Sequence, residues 1–124
     1  MREILFRGKD IINGEWHYGY FVHRFDDCII HSGVLPGDYD IVKPETIGQY
    51  TGLKDKNGKR IFEGDIVSVD EPIGDTHKGV VVWEYNFCSF VVETNYNYSI
   101  PFNPQLRYEI IGNIHDNPKL LEGE

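Results

Sequence analysis

No stretch of this sequence approaches the roughly 20 consecutive apolar residues that a membrane-crossing helix needs. The opening Met1-Arg2-Glu3-Ile4 does not begin the apolar segment of a secretory signal either. Both absences point to a soluble, cytoplasmic protein with no membrane partner. Sulfur is scarce: there is one methionine, and the two cysteines, Cys28 and Cys88, lie 60 positions apart in apolar surroundings. No histidine or basic residue adjoins either thiol to lower its pKa, so both are read as core or half-buried fillers, not as a disulfide pair or a nucleophile. Catalytic serine signatures are missing too, since Ser32, Ser68, Ser89 and Ser99 lack the flanking glycines of a nucleophile elbow.

Metal-ligand spacings are also absent. The five histidines form no His-Glu-x-x-His motif, and neither Cys-x-x-Cys nor an alternating-aspartate calcium loop occurs. His17 and His23 share one face of a strand but stand about 20 Å apart at about 3.3 Å per residue, too far to share one ion. Asp26-Asp27 and Asp38-Tyr39-Asp40 read as solvated, turn-forming carboxylates. The stretch from Gly52 to Lys59 has five residues between its glycines where a phosphate loop has four. It runs on into Arg60 instead of Ser or Thr, with no helix after it to supply a dipole. The expectation is a non-enzyme with no catalytic residue, no metal site and no cofactor.

What the chain does have is aromatics and turns: eight tyrosines, seven phenylalanines, two tryptophans and 13 glycines among 124 residues. That balance favours short strands and tight turns over long helices. The length suits one compact domain that removes roughly 65% of its unfolded surface from water without needing staples. Residues 1–44 read as an N-terminal layer of antiparallel β-hairpins. Arg2 to Arg7 alternates as a strand, Asn13-Gly14 has the composition of a type I′ turn, and Glu15 to His23 is a second strand with apolar residues on both faces. Cys28 to His31 is a short third strand, and after the Leu35-Pro36-Gly37-Asp38 loop a short run from Tyr39 to Val42 ends at Lys43-Pro44.

Residues 45–124 read as a small SH3-like barrel. Asp55-Lys56-Asn57-Gly58 turns the chain into Arg60-Ile61-Phe62, and Glu63-Gly64-Asp65 introduces Ile66-Val67-Ser68-Val69. Asp65 is placed to accept hydrogen bonds from turn amides. After a polar loop from Asp70 to Lys78, Gly79 to Glu84 and Phe87 to Thr94 continue a meander that ends with Tyr108 to Ile114. At most one short helix follows, capped by Asn117 and started by Pro118.

The net charge is −8. Lys54, Lys56, Lys59 and Arg60 surround Asp55 to give a local +3, so the remainder sums to −11. Such a field repels a phosphate backbone and disfavours extended contact with duplex DNA. It leaves room for a basic hairpin that, with Tyr50, touches a single-stranded nucleic acid or an acidic partner. Tyr96, Tyr98 and Phe102, interleaved with Asn95, Asn97 and Asn103, have the composition of a protein interface.

Several segments together carry a resemblance. Met1-Arg2-Glu3-Ile4 with Phe6-Arg7, Asn13-Gly14-Glu15-Trp16 with Tyr18-Gly19-Tyr20, and the long run Gln49-Tyr50-Thr51-Gly52-Leu53-Lys54-Asp55-Lys56-Asn57-Gly58 resemble the YopX family. So do Ile61-Phe62-Glu63-Gly64-Asp65-Ile66-Val67, Ile110-Ile111-Gly112-Asn113-Ile114 and Asn117-Pro118. These small proteins are found largely in phages and prophages. The resemblance makes Thr51, Gly52, Asn57, Gly58, Gly64 and Asp65 a structural motif, implies a β-rich fold in the cytosol of a bacterial host, and assigns no catalytic residue.

The functional expectation is a non-enzymatic binding or assembly module that self-associates and contacts a host or phage protein. The alternative is a single-strand nucleic-acid binder working through Lys54 to Arg60. The two separate by light scattering and by binding assays on lysine variants.

Overall fold

The computed structural model describes residues 3–33, 36–71, 74, 76–94, 99–103 and 105–121. The protein is mainly β: eleven strands, all pairing antiparallel, with two 3₁₀ turns and no α-helix among these residues. Its contacts divide it into two units, 1–52 and 53–124, with the boundary inside one strand.

The first unit holds β1 (Phe6–Lys9), β2 (Trp16–Arg24), β3 (Asp27–His31), β4 (Tyr39–Val42) and a 3₁₀ turn, Pro44–Thr46, before β5 (Gly48–Lys54). Their hydrogen-bonded order is β4-β3-β2-β1-β5. Asn13-Gly14 does not make a two-residue hairpin. Lys9 pairs with Trp16, and of the two turn residues only Gly14 takes a positive φ, 74°. The intervening residues form a longer loop because the Asp10 carboxylate captures the N–H groups of Ile12 and Asn13, at 2.8 and 3.2 Å. A side-chain acceptor in that position stabilises an Asx-type turn.

In the second unit β5 runs on into a hairpin with β6 (Arg60–Phe62), followed by β7 (Asp65–Asp70), β8 (Thr76–Glu84), β9 (Ser89–Thr94), β10 (Ser99–Pro101) and β11 (Arg107–Asn113). The sheet order is β10-β9-β8-β7-β11. The polar loop expected from Asp70 to Lys78 is shorter, because Thr76, His77 and Lys78 pair with Asp70, Val69 and Ser68. The expected barrel is not seen as a closed one: β10 pairs with β9 and β11 with β7, and no pairing among the described residues joins the two ends. Pro101 on β10 has no N–H to donate to a further strand, which suits a sheet edge.

The core of this unit is Ile61, Val67, Val69, Val81, Val92 and Tyr108, flanked by Phe90, Ile100, Phe102, Leu106 and Ile110. Asp65 is buried, and its carboxylate accepts the Phe62 N–H at 2.7 Å, closing the Glu63-Gly64 turn. Cys88 is a correction to the expected burial. It sits exposed in the Tyr85 to Cys88 turn with φ of 50°, because the chain reverses there before the β9 strand begins. The C-terminal turn Pro118–Leu121 is 3₁₀ and four residues long.

Candidate functional site

In the first unit the sheet bends until its fourth strand meets the end of its first. Asp10 forms an antiparallel bridge with Val42. Ile11 N–H donates to the Ile41 carbonyl at 3.0 Å, and Lys43 N–H donates to the Lys9 carbonyl at 2.8 Å. Thr46 knits the same corner: its Oγ1 accepts the Lys9 N–H at 2.9 Å and donates to the Lys43 carbonyl at 2.7 Å. Gly8 makes this closeness possible, since a Cβ there would stand 2.8 Å from Val42 Cγ2. Real Cβ contacts are not that short.

This curl brings Asp40 to two side chains that lie only seven positions apart, Asp10 and His17. His17 stands at the start of β2, with Asp10 just past β1 and Asp40 on β4. Asp10 Oδ2 is 2.9 Å from His17 Nε2, and Asp40 Oδ2 is 3.4 Å from His17 Nδ1. One ligand atom from each residue lies within 4.8 Å of the other two. Asp10 is anchored, because its Oδ1 is held by two backbone amides, while Asp40 is half exposed at 48%. The hydrogen bond with His17 is the main cause that holds the Asp10 carboxyl below its ordinary value, and the amides of Ile12 and Asn13 add to it. A neutral imidazole donates through one nitrogen only and turns a lone pair toward the second carboxylate. Both contacts are attractive together only when a proton, or another cation, is shared among the three groups.

The other face of the same sheet carries apolar surface. Tyr18, Tyr20 and Val22 are alternate residues on β2, exposed by 50, 59 and 42%. Two positions further, the Arg24 guanidinium lies 5.7 Å from the Phe25 ring and 5.8 Å from the Tyr39 ring. With Asp27, Ile29 and Ile41 these residues line a cleft of about 230 Å³. Upstream on the same face, Arg7 covers the Trp16 ring at 4.5 Å.

The residues singled out from sequence lie elsewhere. Lys54, Lys56, Lys59 and Arg60 are exposed on the β5–β6 hairpin, with Lys56 Nζ 3.4 Å from Glu109 Oε1. Asp55 between them is buried. Tyr50, expected to assist them, is 6% exposed, so its ring has no open face for a base to stack on. Tyr96 and Tyr98 lie outside the described residues. Phe102 is half-buried, its ring 4.9 Å from that of Tyr108 on the core. Of the structural motif, Thr51 is half-buried, Gly52, Gly58 and Gly64 take positive φ of 91, 82 and 94°, Asn57 is exposed, and Asp65 closes a turn.

The Asp10, His17 and Asp40 cluster is not legible in the sequence because its three members come from separate segments and match no metal-ligand spacing. Asp40, read as a loop carboxylate, is in fact a strand residue. The sole local signal was Asp10, three residues before an Asn-Gly pair.

Comparison with known proteins places the chain. A comparison with curated proteins finds no match. The crystal structure of protein EF1440 from Enterococcus faecalis is similar, with 30% sequence identity, coverage of 98% of this chain and 100% of that one, and a TM-score of 0.60. Residues 6–122 match the family described as YopX protein. Matched over nearly its whole length, and carrying the central Gly52 to Asp65 segment that resembles it, the chain belongs to the YopX family.

Proposed function

We propose that this protein is a non-enzymatic binding module of phage or prophage type, acting in the host cytoplasm through protein contacts, with self-association as the simplest form. One observation carries the reading: Tyr18, Tyr20 and Val22 stand exposed in a row on one face of β2. Tyrosine buries large area with few rotors, and this composition suits the centre of an interface. The three positions do not suffice alone. Desolvating a large apolar side chain contributes about 1.5–3 kcal/mol, whereas association costs about 4–15 kcal/mol. The adjoining Arg24, Phe25 and Tyr39 cleft supplies further area and an arginine anchor, the residue type that interfaces enrich.

Light scattering at high micromolar concentration tests the assembly. The expected mass is a multiple of 14.4 kDa. The double variant Tyr20→Lys with Val22→Asp is expected to reduce it to the monomer without loss of folded signal. A wild-type chain that stays strictly monomeric, and that captures no host or phage protein in a pulldown, overturns the reading.

A second reading has its own support. The Asp55 carboxylate is turned inward onto backbone amides, leaving Lys54, Lys56, Lys59 and Arg60 to face solvent. A basic hairpin of this kind can follow a single-stranded backbone, with binding that weakens steeply as salt rises. Gel shifts at low salt decide it: binding must appear and must be lost when the four basic residues become alanine.

A further inference from the structure

We propose that Asp10, His17 and Asp40 form a binding site for a divalent transition-metal ion of the Zn²⁺ type. The site is distinct from the interface proposed above and lies on the opposite face of the first unit's sheet.

Donor chemistry comes first. One imidazole nitrogen and two carboxylate oxygens match the ligands that zinc accepts, and two carboxylates neutralise a dication. An imidazole in the set selects against Mg²⁺ and Ca²⁺, which take oxygen ligands.

Geometry comes second. Ligand atoms about 2.0–2.1 Å from a tetrahedral ion stand about 3.3 Å from one another. The Asp10 Oδ2 to His17 Nε2 separation, 2.9 Å, is close to that value, while Asp40 Oδ2 lies 3.4 Å from the other ring nitrogen, Nδ1. The ion takes one ring nitrogen. The half-exposed Asp40 side chain then swings to meet it, within the 4.8 Å that spans the three donors. Three protein ligands leave a fourth position open to water.

Support for the ligands comes third. Asp10 Oδ1 is fixed by the amides of Ile12 and Asn13, which orients Oδ2 toward His17. The backbone of Asp10 is itself held, its N–H donating to the Glu15 carbonyl at 2.8 Å and its carbonyl accepting from Gly14 N–H at 3.1 Å. Ligands held by other hydrogen bonds bind metal more tightly than loose ones. The curl that brings β4 to the end of β1 is therefore also what sets the site.

The remaining histidines do not offer the same set. Among the described residues the only cluster of this kind is Asp10, His17 and Asp40. His31 Nδ1 accepts the Gly33 N–H at 2.8 Å, and His77 Nε2 lies 3.3 Å from Glu71 Oε1.

The test is isothermal titration of the EDTA-stripped full chain with ZnCl₂, and separately with MgCl₂, alongside thermal melting. One Zn²⁺ per chain is expected, with a raised melting temperature and no response to Mg²⁺. Co²⁺ is expected to show visible absorption of a four-coordinate site. His17→Ala is expected to weaken Zn²⁺ binding at least tenfold. Asp40→Asn, at an exposed position that leaves the fold intact, is expected to weaken it severalfold, which keeps the test decisive if His17→Ala unfolds. Absence of Zn²⁺ binding at millimolar concentration overturns the proposal. So does unchanged binding in Asp40→Asn and His17→Ala, or a Mg²⁺ affinity equal to that for Zn²⁺.

Discussion

The carboxylate of Asp55 accepts a hydrogen bond from the backbone N–H of Ile110, 3.1 Å away and 55 residues further along the chain. Its other oxygen accepts the N–H groups of Asn57 and Lys59, both at 2.9 Å. One buried side chain thus closes the β5–β6 turn and fastens it to β11, where Lys56 N–H also donates to the Tyr108 carbonyl at 2.8 Å. The basic hairpin owes its shape to the single acidic residue within it.

Burial opposes the charge on Asp55, yet the amides of Ile110, Lys59 and Asn57 together outweigh it and hold the carboxyl below its ordinary 3.8. A depressed folded-state value means that the carboxylate stabilises the protein above pH 4 and that this stability is lost as pH falls through the folded value. Asp55→Ala leaves three amides without that acceptor. It is expected to cost about 1–3 kcal/mol in denaturant unfolding at pH 7 and to flatten the acid limb of the stability profile.

Gly79 on β8 pairs with Thr94, and a Cβ at this position would stand 2.4 Å from the Glu93 carbonyl oxygen. The obstacle is backbone, so no rotamer relieves it. Gly79→Ala is expected to destabilise the protein by about 1–3 kcal/mol, read as a lowered melting temperature. An unchanged melt would show that β8 and β9 are spaced more widely than described.

The Tyr108 hydroxyl accepts the Asn103 N–H at 2.8 Å and donates to the Asn103 carbonyl at 3.3 Å. Burial raises its pKa above 10.0, against the opposing pull of the Asn103 amide. Stability is therefore whole below pH 10 and falls as pH rises from there through the folded value. Tyr108→Phe is expected to cost about 0.5–1.5 kcal/mol at pH 7, since Asn103 is exposed enough to be solvated, and to remove this alkaline decline.

Lys56 and Glu109 lie 3.4 Å apart with partly exposed side chains. Solvent-exposed pairs contribute about 0–1 kcal/mol. Lys56→Ala is expected to shift stability by less than about 1 kcal/mol, far less than Asp55→Ala, although the two positions are adjacent. Equal losses would mean that the lysine, and not the buried carboxylate, secures the hairpin.

Local chemistry made much of the fold legible. The alternation in Ile66-Val67-Ser68-Val69, Gly58 after Asn57, and Pro118 after Asn117 each marked an element that formed, because strand pattern and turn residues act over a few positions. The Asn13-Gly14 turn misled because the same composition also suits the longer loop that Asp10 imposes. Barrel closure is not legible in the sequence for a different reason. Whether the last strand meets the first depends on twist and register summed over the sheet, and no short motif encodes that sum.

The sequence by itself determined that the chain is strand-built with a basic hairpin around Asp55, since composition, period-two patterning and turn residues are local properties of the chain. Only the tertiary structure decided that Asp10, His17 and Asp40 meet, and that Tyr18, Tyr20 and Val22 face outward while Tyr50 does not. Those distances follow from how far a sheet curls, and curl is set by pairings between residues tens of positions apart.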